Sequence, residues 1–139
     1  NIEYDVNLES QEPYSIVGAL TEGKAVCEGY ARSFKYIMDA LDIPCVLVSG
    51  TGTNSKGETE SHAWNYVQLN ENWYAIDVTW DDPVFVGDNV GSAYLNDETR
   101  YKNFLKGSNT FFSSHFEDGN LTPNSMEFDF PTLSMQDYE

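Results

Sequence analysis

The chain has 139 residues, 40% hydrophobic and 14% aromatic, enough for a single folded domain with a proper buried core. Its 23 acidic residues against 7 basic ones give a formal net charge of −16, which argues strongly against nucleic-acid or anionic-membrane partners. Nothing approaches the roughly eighteen apolar residues of a membrane span, no signal-like segment opens the chain, and two cysteines make no disulfide framework.

The acidic residues are spread rather than blocked, so they read first as a solubilising surface. A first residue that is Asn rather than Met marks the sequence as an N-terminally truncated piece of a longer protein, within which residues 1–139 form one domain. Asn1 to Pro13 is polar and aperiodic and reads as an extended arm, and Ser15 to Leu20 as one helical turn capped by Ser15. Thr21, Glu22 and Gly23 break that turn. Next, Cys27, Ala31, Phe34, Met38 and Leu41, with Ile37 beside them, recur at helical spacing, which predicts an amphipathic helix from Cys27 to about Leu41, stopped before Pro44. Lys24, Ala25 and Val26 stand where a capping Ser, Thr, Asp or Asn would otherwise occupy the first-turn amides. Those free amides and the positive end of the helix dipole favour a thiolate at Cys27, and the Cys27 N–H is placed to help hold an oxyanion. Taken alone, Cys27 would read as an ordinary buried small hydrophobe.

Cys45 to Ser49 is apolar on both faces and predicts a strand, with Cys45 in the core, and Gly50 to Glu60 reads as a mobile loop bordering a site. Ser61 to Leu69 and Trp73 to Trp80 are two strand-like runs, separated by Asn70, Glu71 and Asn72, that form a hairpin. With Asn70 and Glu71 as a two-residue loop, Leu69 faces Asn72 and His62 faces Thr79, which puts Asp77 on the same face as His62 at a diagonal of roughly 7 Å. Glu71 fits poorly where a positive φ is wanted, so a three-residue loop with a bulge is the alternative. In the first register Cys27 is a nucleophile, His62 its general base and then acid, and Asp77 the group that orients the imidazole. Trp64, next to the base, is the candidate for lining a substrate cleft, whereas Tyr66, Trp73 and Trp80 read as core or as shielding.

Beyond Pro83 the pattern weakens: a short strand reaches Tyr94 and Leu95, a helix capped by Asn96 covers Asp97 to Leu105, and Lys106 to Glu139 holds aromatic residues without a period. His115 is the competing imidazole, ranked second because no carboxylate pairs with it at strand spacing. Asp81, Asp82 and Asp88 lack the spacing of a calcium loop, so neither a metal nor a cofactor is expected.

Four stretches together resemble the transglutaminase-like superfamily, specifically its bacterial branch of papain-like cysteine enzymes: Gly-Lys-Ala-Val-Cys-Glu-Gly-Tyr-Ala at 23–31, Ile-Pro-Cys at 43–45, Ser-His-Ala-Trp-Asn at 61–65 and Trp-Tyr-Ala-Ile-Asp-Val-Thr-Trp-Asp-Asp-Pro at 73–83. The resemblance covers about Ser15 to Leu105. It implies an α+β fold with the cysteine-bearing helix packed on an antiparallel sheet, and Cys27, His62 and Asp77 as the catalytic triad. It further implies a thioester acyl-enzyme formed on a protein or peptide substrate, and a bacterial cell-surface setting. Hydrolysis as a protease or amidase is the preferred outcome. Transglutaminase cross-linking and a non-catalytic protein-binding module on the same fold are the alternatives.

Overall fold

The computed structural model of the chain describes residues 3–4, 24–25, 27–82, 101–118 and 129–139. The expected turn at Ser15 to Leu20, the strand at Tyr94 and Leu95, and the first part of the Asp97 to Leu105 helix lie outside them. In chain order the elements are β1 (Glu3–Tyr4), β2 (Lys24–Ala25), α1 (Cys27–Ala40), β3 (Cys45–Thr53), β4 (Thr59–Leu69), β5 (Asn72–Ile76), a one-turn α2 (Val78–Asp81), a one-turn α3 (Ser108–Phe111) and β6 (His115–Glu117). Strands β1 and β2 form a small parallel pair, while the main sheet has the order β5-β4-β3-β6 with every neighbour antiparallel. No helix among the described residues is long and apolar enough to cross a membrane.

Helix α1 follows the sequence pattern through its first three turns. Tyr30 and Ala31 are buried, and Phe34 and Met38 pack on a cluster of Cys45, Val67 and Ile76 contributed by three adjacent strands. Ile37 and Leu41, expected on the same stripe, are exposed. The helix ends before the last expected contact: Ile43 N donates to Met38 O (2.9 Å) and Asp42 N to Asp39 O (3.2 Å). These two bonds form a Schellman closure, with Asp42 at φ 56° in the position that glycine usually takes. The solvent face carries two i,i+4 pairs, Glu28 with Arg32 and Lys35 with Asp39. Polar ties cross the helix–sheet contact: buried Asn65 donates through Nδ2 to the Ala31 carbonyl at 2.9 Å, and Lys35 Nζ donates to the Cys45 carbonyl at 3.1 Å.

On the sheet's second face Val48, Trp64, Tyr66 and Ala75 pack with Phe111 and Leu133 from the C-terminal part of the chain. Burying side chains of this size contributes roughly 1.5–3 kcal/mol each. The aperiodic stretch after Lys106 therefore covers the sheet and protects its edges. Ala75 exchanges two backbone hydrogen bonds with Lys106, at 2.8 and 2.9 Å, and Trp73 O accepts from Ser134 N at 2.8 Å, which closes the β5 edge. Where the expected helix was to reach Leu105, residues 101–105 instead form a turn with Leu105 at φ 52°.

The predicted loop from Gly50 to Glu60 is corrected to strand over most of its length, since β3 continues to Thr53 and β4 begins at Thr59. Its glycines leave room for neighbours. A Cβ on Gly50 would lie 2.0 Å from the Phe116 carbonyl oxygen, and one on Gly52 would lie 2.7 Å from the Trp80 ring. The β4–β5 hairpin has the expected register, from Leu69 opposite Asn72 to Asn65 opposite Ile76. Its loop is the two-residue one, with Asn70 at φ 49° and Glu71 at φ 69°, so the alternative bulge is absent. The second strand, expected to run to Trp80, stops at Ile76, and Thr79 does not pair with His62. Asp77 ends it by capping α2: its Oδ1 accepts from Trp80 N at 3.1 Å, an alternative to the ladder that aspartate favours.

Candidate active site

Cys27 is the first residue of α1 and is partly open to solvent. His62 lies in β4, 3% exposed, and Asp77 at the cap of α2 is fully buried. The hairpin register carries β4 and β5 together, and the capping turn swings the Asp77 carboxylate to the imidazole. His62 Nε2 stands 2.6 Å from Asp77 Oδ2. The Cys27 side chain lies close enough to the His62 ring to contribute to its raised pKa. With Nε2 committed to the carboxylate, Nδ1 is the nitrogen left for the thiol, and the His62 tautomer is fixed accordingly.

Burial pulls the His62 pKa down, but the Asp77 hydrogen bond and charge, with a further contribution from Cys27, outweigh it and raise the pKa to about 9. Asp77 moves the other way. Burial would raise its pKa, yet hydrogen bonds from His115, His62 and the Trp80 backbone hold the carboxyl below the usual carboxylate range.

His115 is where sequence reasoning fell short. It is fully buried and its Nε2 lies 2.9 Å from Asp77 Oδ2, the same oxygen that His62 uses. Its Nδ1 lies 2.9 Å from Ser114 Oγ. The residue reaches the site because β6 pairs with β3, Gly52 opposite His115 and Gly50 opposite Glu117. That long-range pairing has no local sequence signature.

Aromatic rings enclose the pair. Trp80 stacks on His62 with centroids 4.6 Å apart and planes at 23°, and Phe111 stacks on His115 at 3.8 Å and 15°. Trp64, expected to line the cleft, is corrected to a core position: it is 1% exposed and packs edge-on to His115 at 5.1 Å. Cys45 is buried as expected, and burial pushes its thiol up to about 11.

The two imidazoles and Asp77 offer ligand atoms within 4.8 Å of one another, a two-histidine, one-carboxylate set of the sort that holds transition metals. Two ligands on a tetrahedral ion with bonds near 2.0–2.1 Å stand roughly 3.3 Å apart. The nitrogen–oxygen distances of 2.6 and 2.9 Å are shorter than that and are those of direct hydrogen bonds.

A helix that opens on a cysteine, packed on an antiparallel sheet that brings a histidine and a buried carboxylate to it, defines the papain-like class of fold. The family model "Transglutaminase-like superfamily" matches residues 1–78, and the chain belongs to that family. It is similar to the kyphoscoliosis peptidases of Mus musculus, at 30% identity over 129 residues, and of Homo sapiens, at 28% over 129 residues. Each alignment covers 85% of this chain and 19% of the relative, so the chain spans about a fifth of the length of the curated relatives it matches. A solved structure of a TGase is 21% identical, with a TM-score of 0.44 over 55% of this chain and 22% of that one.

Proposed function

We propose that this domain is a cysteine-dependent acyl-transfer enzyme acting on peptide or side-chain amides, with Cys27 as nucleophile and water as the usual acceptor. The observation that carries this reading is a buried imidazole, that of His62, hydrogen-bonded to a buried carboxylate and coupled electrostatically to the Cys27 side chain. With its proton already held on His62 Nδ1, as the raised His62 pKa implies, Cys27 Sγ adds to the amide carbonyl carbon as the thiolate. The oxyanion forms beside the Cys27 backbone N–H at the start of α1. Collapse breaks the C–N bond, and the amine leaves with the proton from His62, giving a thioester. Water, deprotonated by His62, then attacks the thioester and releases the acid, and the proton stays on His62 beside the expelled Cys27 thiolate. Asp77 keeps the His62 tautomer and balances its charge throughout.

Hydrolysis is preferred to cross-linking on two grounds. A cross-linker must keep water from its thioester, and Cys27 is partly open to solvent. In addition, two similar proteins, the mouse and human ones, carry the name peptidase. The net charge of −16 supports the second reading, transglutaminase cross-linking, since an acidic surface concentrates cationic amines. The deciding assay offers glutamine-containing peptides and proteins with and without a labelled primary amine, using Cys27→Ala as blank. Cys27-dependent cleavage or deamidation is expected. Amine incorporation in excess of hydrolysis would make the domain a transglutaminase, and no turnover of either kind would favour a binding module.

A further inference from the structure

We propose that His115 is a positioning residue of this site, a second imidazole donor that holds Asp77 charged and correctly turned for His62. The proposal rests on the reading of Cys27, His62 and Asp77 as the reacting groups.

A carboxylate accepts hydrogen bonds but donates none, so both ring nitrogens that meet Asp77 Oδ2 carry protons. His115 is therefore protonated at Nε2, and in the neutral ring its Nδ1 accepts from the Ser114 hydroxyl at 2.9 Å. Ser114 thereby selects the tautomer that points a donor at Asp77. Asp77 is then held at both oxygens, Oδ1 by Trp80 N and Oδ2 by two imidazoles, and cannot turn about its χ2 without breaking contacts.

Asp77 is fully buried, where an isolated carboxylate tends to take up a proton and lose its hold on the base. During turnover the His62 ring alternates between one proton and two, whereas the His115 contact stays the same. The chain thus keeps one constant donor on Asp77 beside the one that cycles. His115 is also fixed from its own side, by Phe111 stacked at 3.8 Å and Trp64 edge-on at 5.1 Å, so it cannot turn away when His62 changes charge. His115 is not itself the base, because both its ring nitrogens are engaged, by Ser114 and Asp77, and the ring coupled to Cys27 is that of His62.

The test uses His115→Phe, which keeps a ring against Phe111 but removes the donor, and His115→Gln, whose side-chain amide restores an N–H near the Nε2 position. In the full chain, with folding checked by circular dichroism, His115→Phe is expected to lower kcat by about tenfold to a hundredfold with KM nearly unchanged, and His115→Gln to recover most of the loss. A second readout needs no turnover. The chain holds 2 histidines, so each variant leaves His62 as the sole imidazole signal in an NMR titration. The titratable groups around His62 are Cys27, Asp77 and His115. Without the His115 donor Asp77 is a stronger base, so the His62 titration should move up by about half a unit in His115→Phe and return in His115→Gln.

Ring packing alone would leave both readouts of His115→Phe at wild-type values, which overturns the proposal, as does a His115→Gln variant that is folded but no better than His115→Phe. If the wild type shows no Cys27-dependent turnover, the functional reading fails, while the His62 titration still decides whether His115 acts on Asp77.

Discussion

Asp77 performs two tasks with its two oxygens, and a single substitution separates them. Asn caps a helix about as well as Asp, so Asp77→Asn should leave α2 and the fold intact. Its amide cannot accept from both imidazoles in the same way, so His62 loses its fixed tautomer. The expected loss is about three to four orders of magnitude in kcat with the fold retained, measured by steady-state kinetics beside circular dichroism, and the stability lost is that of the His62–Asp77 linkage. The two cysteines offer a parallel contrast. Cys45, its thiol pushed up to about 11 by burial, should resist alkylation at neutral pH, whereas Cys27 reacts, and reacts more slowly in His62→Ala. Mass spectrometry of the two peptides distinguishes them, and preferential labelling of Cys45 would remove Cys27 from the role of nucleophile. At this scale Cys27, His62 and Asp77 were legible because α1 and the hairpin have local periods and the hairpin sets its own register. His115 was not. Its carboxylate lies 38 residues away and meets it only through tertiary pairing.

Among the elements, the β4–β5 hairpin carries a local conflict that its neighbours overcome. Glu71 sits at φ 69° in the type I′ position that suits glycine, held there by a register with buried residues on both faces of β4. Glu71→Gly relieves the strain, and a gain of about 1 kcal/mol in denaturant-unfolding stability is expected with no change in turnover. Gly52 presents the opposite case. Adding a methyl there brings a Cβ 2.7 Å from the Trp80 ring and 3.3 Å from His62 Cδ2, so Gly52→Ala should displace the ring stacked on His62. A folded Gly52→Ala variant with full activity would show that the stack is dispensable. The sequence pattern misread this glycine as loop because glycine usually marks a turn, whereas here it marks close approach inside a strand. The early end of β5 has a similar cause. Val78, Thr79 and Trp80 all have good strand propensity, but the Asp77 carboxylate offers the Trp80 amide a cap instead.

For the molecule as a whole, the site's electrostatics should appear in its stability. His62 is raised from an ordinary 6.5 to about 9, so the folded chain keeps a proton that the unfolded chain releases between those values. The contribution is fully present below pH 6.5 and is lost as pH rises through about 9, on the order of 3 kcal/mol by linkage. Equilibrium unfolding across that window should show a decline that disappears in His62→Phe. A flat wild-type profile would mean that the pair is neutral in the folded state.

The pairing of β6 with β3 also governs when the site comes into being. Cys27, His62 and Asp77 all leave the ribosome before His115, and so do the strands that bear them. Until residues 108–117 follow, β3 has an open edge, Asp77 lacks one of its donors, and the Trp64 side of the sheet lacks Phe111. A nascent chain therefore carries Cys27, His62 and Asp77 well before it can complete the contacts around them. A chain ending at Gly107 is expected to be inert towards substrate, as judged by the Cys27-dependent assay, even if α1 and the hairpin form. The contacts around Asp77 are thus completed by β6, synthesised after the residues it supports, so the order of synthesis sets when they can all be made.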